Sequence, residues 1–187
     1  MFMMSRRVLS RLLVSFLAVH TMWASALEVR FEPVADGVYA YVGDIGGRTV
    51  ANQGLNANLG LVVTLGGAVL IDSGSTFQTA SAIHEAVRRV TKQPVRWVIN
   101  TGSQDHRWLG NGYFKAQGAE LIAHAAAVPD MRSRGGDQFA ALRTLLGPAA
   151  DGTELSFPSR LLQGPEARLE LGGTVFEFRH RGGGHTP

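Results

Sequence analysis

Cysteine is absent from all 187 residues. That excludes disulfides, cysteine-ligated zinc, iron–sulfur clusters and a cysteine nucleophile. The chain must instead be held by its apolar core, or by a metal. Lysine is scarce as well, with only Lys92 and Lys115. Basic character therefore rests on arginine, and it is unevenly placed. Arg6, Arg7 and Arg11 lie in the first 26 residues, which hold no acid, and they account for the whole formal charge of +3. Residues 27–187 carry fifteen basic and fifteen acidic side chains and are formally neutral. Such a body argues against nucleic acid as a partner, because phosphate binding needs a basic face. After residue 26 no apolar run approaches the ~20 residues of a membrane span. An apolar content of 45 % with 18 % charged residues excludes a disordered or fibrous chain. The length suits one domain.

The first 26 residues read as an export signal. Three arginines precede the apolar run Leu12 to Val19, and Ala24-Ser25-Ala26 places small residues before a cut at Leu27. Ser5-Arg6-Arg7-Val8-Leu9 also resembles a twin-arginine signal, so export runs by the Sec or the twin-arginine route. A signal peptide over 1–26 and one domain over 27–187 are expected, in a periplasmic or secreted protein.

Apolar patterning in residues 27–187 predicts an α/β fold. Val38 to Val42 is a strand, Asp44 to Asn58 a Gly- and Asn-rich loop, and Leu59–Thr64 with Ala68–Asp72 a hairpin on Gly66-Gly67. Both hairpin arms are nearly continuous apolar runs, as in strands covered on both faces. Ser75 or Thr76 caps a helix with Ala80, Ile83, Val87 and Val90 on one stripe. Strands follow at Val95–Asn100 and Ala119–Ala123, with a short helix between them at Tyr113–Gln117. Asp137 is expected to cap a helix ending at Gly147-Pro148, and 149–165 to be loop. A second glycine-turn hairpin pairs Arg168–Leu171 with Thr174–Phe178. Strand–helix alternation implies helices packed on a sheet.

Chemistry gathers at strand ends in such folds. Here those ends are Asp72-Ser73-Gly74, the stretch Asn100 to Asn111, and His185 after the last hairpin. Asp105-His106 offers a carboxylate beside an imidazole, and His185 a second imidazole; zinc accepts both donor types. Spacing alone leaves open whether these residues share a metal or are unrelated surface groups.

Leu70-Ile71-Asp72-Ser73-Gly74, Val98-Ile99-Asn100-Thr101, Gly110-Asn111, Ile122-Ala123-His124 and Gly184-His185-Thr186-Pro187 together resemble the metallo-β-lactamase superfamily, in that family's order. The resemblance implies an αβ/βα sandwich, one or two zinc ions at a sheet edge, and hydrolysis of a small-molecule substrate by metal-bound hydroxide. It departs from the family at the first metal motif, H-x-H-x-D-H after Asn-Thr. Aligned without a gap, Gly102 and Gln104 stand at the two histidines; aligned on Asp105-His106 with one gap, Thr101 and Ser103 do. Neither alignment restores the pair.

What the resemblance implies for the site is metal ligation by Asp105, His106 and His185. Asp105 is also the catalytic candidate, Gln104 and Arg107 are candidates for binding substrate, and Asp72 gives structural support. Trp108 is expected as core or pocket wall, His124 as structural and His84 as exposed. In the family the Gly-His motif runs on to Gly-Asp, a later bridging Asp and a last His, so the chain is expected to hold only the N-terminal portion of the sandwich. Gln104 to Asn111 further resembles an exported subgroup, the quinoprotein-relay-system (SoxH-like) zinc metallohydrolases. That likeness implies links to quinoprotein dehydrogenase or sulfur-oxidation systems and a periplasmic redox-enzyme partner. Loss of H-x-H leaves two alternatives: a non-catalytic periplasmic binding or carrier protein on the same fold, and a β-lactamase, against which the missing histidines argue.

Overall fold

Short turns build the sheet from one edge, and the computed structural model describes it over residues 27–183. The export segment and His185 lie outside the described residues. Strand β1 (Glu32–Ala35) turns at Gly37, φ +70°, into β2 (Val38–Tyr41). After the long loop come β3 (Leu59–Thr64) and β4 (Gly67–Ile71), then β5 (Val95–Asn100), β6 (Glu120–His124) and β7 (Arg160–Leu162). These seven strands lie side by side in sequence order, antiparallel from β1 to β4 and parallel from β4 to β7. Strands β8 (Glu166–Leu171) and β9 (Thr174–Arg179) form a separate hairpin turned by Gly172 and Gly173, both at positive φ.

Parallel pairing needs crossovers, and helices supply them. Helix α1 (Phe77–Val90) joins β4 to β5; α2 (Asp105–Trp108) and α3 (Asn111–Ala116) join β5 to β6; α4 (Ala127–Leu146) and a 3₁₀ turn at Gly147–Ala150 lead to β7. Thr76 and Thr79 cap α1 reciprocally, each side-chain oxygen accepting from the other's backbone N–H.

Side-chain parity sorts the core into two faces. Leu70, Val98 and Leu121 pack with Ile83 and Val87 of α1 and Phe114 of α3. Val69, Ile99 and Ile122 point the other way, against Leu171 of β8 and Phe176 of β9. Cover on both faces explains the unbroken apolar runs of these strands. This is the mixed α/β architecture expected.

Several elements differ from expectation. Helix α4 begins at Ala127, ten residues before Asp137. Pro129 falls in its first turn, where a missing N–H is harmless. Gly135 does not end the helix: it lets the fully buried Trp108 approach, since a Cβ there would lie 2.8 Å from Trp108 Cη2. Strands β1 and β7 and helix α2 form where the apolar pattern predicts no element. His84 is buried rather than exposed, with Nδ1 3.0 Å from the Tyr113 hydroxyl. Among the described residues no helix is long and apolar enough to cross a membrane.

Candidate functional site

Because β4 and β5 are parallel, the segments that follow them emerge at the same sheet edge. Asp72 leaves β4 at φ +63°, a left-handed conformation that Asp tolerates better than most residues. Its carboxylate accepts two hydrogen bonds from Thr101, from the backbone N and from Oγ1, each 2.7 Å. Ser73 Oγ donates to Asn111 Oδ1 at 2.8 Å, and Asn111 Nδ2 donates to Asn100 Oδ1 at 2.8 Å and to the Ser156 carbonyl at 3.0 Å. Asn100 Nδ2 and the Ser73 backbone N both donate to the Arg107 carbonyl, each at 2.9 Å. Asp72-Ser73, Asn100-Thr101 and Asn111 thus form one polar lock on the turn 101–110, buried at all of them except Thr101.

Burial pushes the Asp72 carboxyl up to about 6, against the opposing pull of Thr101's hydrogen bonds and the Arg107 charge. An unfolded aspartate releases its proton near 3.8. Between those values the folded chain binds the extra proton. This residue's contribution is therefore fully present below pH 3.8 and is lost as pH rises to about 6, a change of about 3 kcal/mol. Asp72→Asn removes the titration. The unfolding free energy of the variant minus that of the parent is expected to grow by about 2.4 kcal/mol between about pH 4 and about pH 7.5. The subtraction cancels the other titrating groups. A pH-independent difference would show that Asp72 stays ionised throughout.

The turn 101–110 carries the other candidates. Gln104 Oε1 accepts from Arg107 Nε at 3.1 Å, and Arg107 Nη1 donates to Thr101 Oγ1 at 2.6 Å. Arg107 is thereby aimed by Gln104 and Thr101, with Nη2 unpaired among the described residues. Asp105 opens α2 and is buried. His106 N donates to Asp105 Oδ1 at 2.9 Å, and His106 Nδ1 lies 3.5 Å from the same oxygen.

Sequence reasoning missed Arg48. Its guanidinium grips both oxygens of Asp105 in a bidentate pair, and Nη2 stands 3.1 Å from His106 Nδ1. A guanidinium can only donate, so His106 Nδ1 is the acceptor and the ring is neutral. Burial first, and then the Arg48 charge, push the His106 pKa down to about 4, with Asp105 opposing. No local signal marks Arg48: it is one arginine after Gly46-Gly47 in a loop, 57 residues from its partner.

His106, Arg107, Asp72 and Thr101 line one side of a cavity of about 710 Å³, with Asp44 and Asn56 among the residues that close it. Asn56 Oδ1 is buried without a partner among the described residues. A second cavity, about 340 Å³, lies between the sheet and the β8–β9 hairpin. There His124 and His180 stack at 4.0 Å. Both His124 nitrogens are engaged: Nδ1 accepts from Ala126 N at 3.2 Å, and Nε2 meets the Gly164 carbonyl at 3.0 Å. Among the described residues no group of three or more His, Cys, Asp or Glu could hold a metal. The structure brings Asp105 and His106 together and sets Gln104 and Arg107 beside them; His185 lies outside the described residues.

A family model described as the metallo-β-lactamase superfamily matches residues 52–187. The fold is similar to that of a metallo-β-lactamase from Pontibacter korlensis, at 19 % identity and TM-score 0.63, covering 85 % of this chain and 63 % of that one. It is also similar to a metallo-β-lactamase from Hirschia baltica, at 17 % identity and TM-score 0.57, covering 79 % and 59 %. A third likeness is to a HARLDQ motif mutant of a metallo-β-lactamase from Cronobacter sakazakii, at 24 % identity and TM-score 0.56, covering 79 % and 52 %. The chain thus spans less than two thirds of the length of each of these structures. Members of the matched family are usually hydrolases and typically bind zinc. With the family model covering nearly three quarters of its length and the strand-end landmarks joined in one lock, the chain belongs to the metallo-β-lactamase superfamily.

Proposed function

We propose that the chain belongs to an exported zinc-dependent hydrolase of the quinoprotein-associated subgroup, acting on a small molecule. The observation that carries this reading is the convergence of Asp105 and His106 on one positive charge. The Asp105 carboxylate and the neutral His106 Nδ1 both face a cation, here the Arg48 guanidinium. Carboxylate oxygen and neutral imidazole nitrogen are zinc donors, so the pair fits zinc in kind. Asp105 and His106 would hold metal at one site and His185 at the neighbouring one, together with residues beyond Pro187. Zinc, when bound, supplies Lewis acidity to the bond under attack.

The chain's own residues orient the substrate. Arg107 lines the cavity, where a forked guanidinium suits a carboxylate or phosphate. Gln104 and Thr101 keep that fork aimed, and Asp72 fixes Thr101 in turn. The unpartnered Asn56 Oδ1 can accept from a substrate hydroxyl or amide. Asp105 holds the His106 backbone in place by accepting from its N–H, while burial and the Arg48 charge keep the ring neutral.

Metal analysis of the purified full-length protein tests this. One or two equivalents of zinc are expected, falling by at least about tenfold in His106→Ala. Zinc-dependent turnover of ester, thioester or amide probes is expected, with a raised KM for anionic probes in Arg107→Ala. A parent protein that takes up no zinc overturns the reading.

One observation favours a second reading, a non-catalytic periplasmic binding or carrier protein with a redox-enzyme partner. Arg48 already neutralises Asp105, so the chain supplies its own counter-charge to that buried carboxylate. That reading predicts ligand binding unchanged by chelators. The solved structures named above are metallo-β-lactamases, and a direct assay of β-lactam hydrolysis decides whether that activity extends to this chain.

A further inference from the structure

Resting on the zinc reading above, we propose that Arg48 is a resident cation that guards the Asp105–His106 pair. Metal enters only when the loop at residues 42–58 withdraws the guanidinium. The geometry is one of direct competition. Both Asp105 oxygens and the His106 Nδ1 lone pair are turned to Arg48. Zinc takes its nitrogen and oxygen ligands at about 2.0–2.2 Å; the single lone pair of His106 Nδ1 cannot serve both cations at once, and a guanidinium gripping both Asp105 oxygens blocks the approach of an ion to that carboxylate. Asp105 is almost wholly buried, its side chain 4 % exposed, so water screens little of the repulsion between a guanidinium and a divalent ion sharing that carboxylate. A buried carboxylate left unpaired is also unfavourable. One or other cation should therefore always be present.

The loop is built so that its tip can move while its base stays. Leu55 is fully buried at the base, and Gly43 N donates to Asn58 Oδ1 at 3.0 Å where the loop closes. The tip organises itself. Thr49 N donates to Asn52 Oδ1 at 2.9 Å, Asn52 N donates to Thr49 Oγ1 at 3.1 Å, and Asn52 Nδ2 donates to the Gly47 carbonyl at 3.0 Å. Ile45 is fully exposed, Val50 is 63 % exposed, and a Cβ at Gly47 would touch nothing within 4 Å. Among the described residues, the hydrogen bonds from Arg48's side chain all go to Asp105 and His106. Withdrawing it therefore breaks those contacts and leaves the core intact.

Coupling of this kind is reciprocal: Arg48 weakens zinc, and zinc must loosen the loop by the same factor. Two measurements on the full-length protein, stripped of metal, test it. The first is zinc affinity by competition with a chelating indicator. Arg48→Gln should bind zinc about tenfold more tightly than the parent, while Arg48→Lys, which keeps the charge but loses the fork, should fall between them. Equal or weaker affinity in Arg48→Gln overturns the proposal. The second needs no variant. Trypsin cleaves after arginine, and the clamped Arg48 should resist it. Saturating zinc should speed cleavage after Arg48 by about tenfold, read by mass spectrometry of the fragment ending there. Zinc that binds without changing this cleavage also overturns the proposal but spares the zinc reading. Absence of zinc binding in both parent and Arg48→Gln overturns the two together.

Discussion

Gly110→Ala is expected to destabilise the protein by about 4 kcal/mol, seen as a lower urea midpoint at unchanged slope. The backbone of Gly110 runs against that of Ser73: a Cβ there would lie 2.1 Å from the Ser73 carbonyl oxygen and 3.0 Å from Ala80 Cβ. Neither neighbour is a flexible side-chain tip. The turn 101–110 would have to back away from the end of β4. That move breaks the bond from Gly110 N to the Gly74 carbonyl and the bond from Ser73 N to the Arg107 carbonyl, 3.0 and 2.9 Å. It also strips Asn111 of Ser73, leaving buried polar atoms without partners. A loss below about 1 kcal/mol would show that the turn relaxes freely. The lock could not then be what positions Asp105 and Arg107.

Trp108→Ala should have a comparable effect, about 4 kcal/mol, because it empties the largest fully buried side chain among the described residues. The ring packs with Phe157, centroids 5.3 Å apart, and fills the notch at Gly135 of α4. Its indole N–H donates to the Ser103 carbonyl at 3.0 Å, tying the candidate site to the core. The substitution should therefore loosen α2 as well as the fold, and zinc affinity should fall with stability. Trp108→Phe separates the two effects. It keeps most of the packing but drops the Ser103 bond, costing about 1–2 kcal/mol. If Trp108→Phe retains the parent's zinc affinity while Trp108→Ala loses it, packing rather than the indole bond aims Asp105.

Much of this architecture was legible in the residues. Apolar runs bounded by glycine turns marked the hairpins β3–β4 and β8–β9, because strand pairing through a tight turn is a local matter. The stripe Ala80, Ile83 and Val87 behind a threonine cap marked α1 for the same reason. What escaped was non-local. Strand β7, three residues long, exists because it pairs with β6 about forty residues away. Helix α4 runs through Gly135-Gly136 because Trp108 packs there, and helix propensity yields to that burial. The place of His84 beside a stripe predicts exposure, but Tyr113 on another helix closes over it.

The candidate site divides in the same way. By itself, the sequence marked Asp72 as a supporting residue and Asn100, Gly110 and Asn111 as landmarks of the family resemblance; that they join in one lock came from the structure. The sequence also established that two histidines of the family's first metal motif are gone while Asp105 and His106 stand adjacent. Only the tertiary structure decided what Asp105 meets. Arg48 reaches it across 57 residues because a Gly- and Asn-rich loop, with no apolar pattern to announce its path, folds back over the edge of the sheet. A carboxylate's partner is set by distance in space and by burial, and neither is written in neighbouring residues.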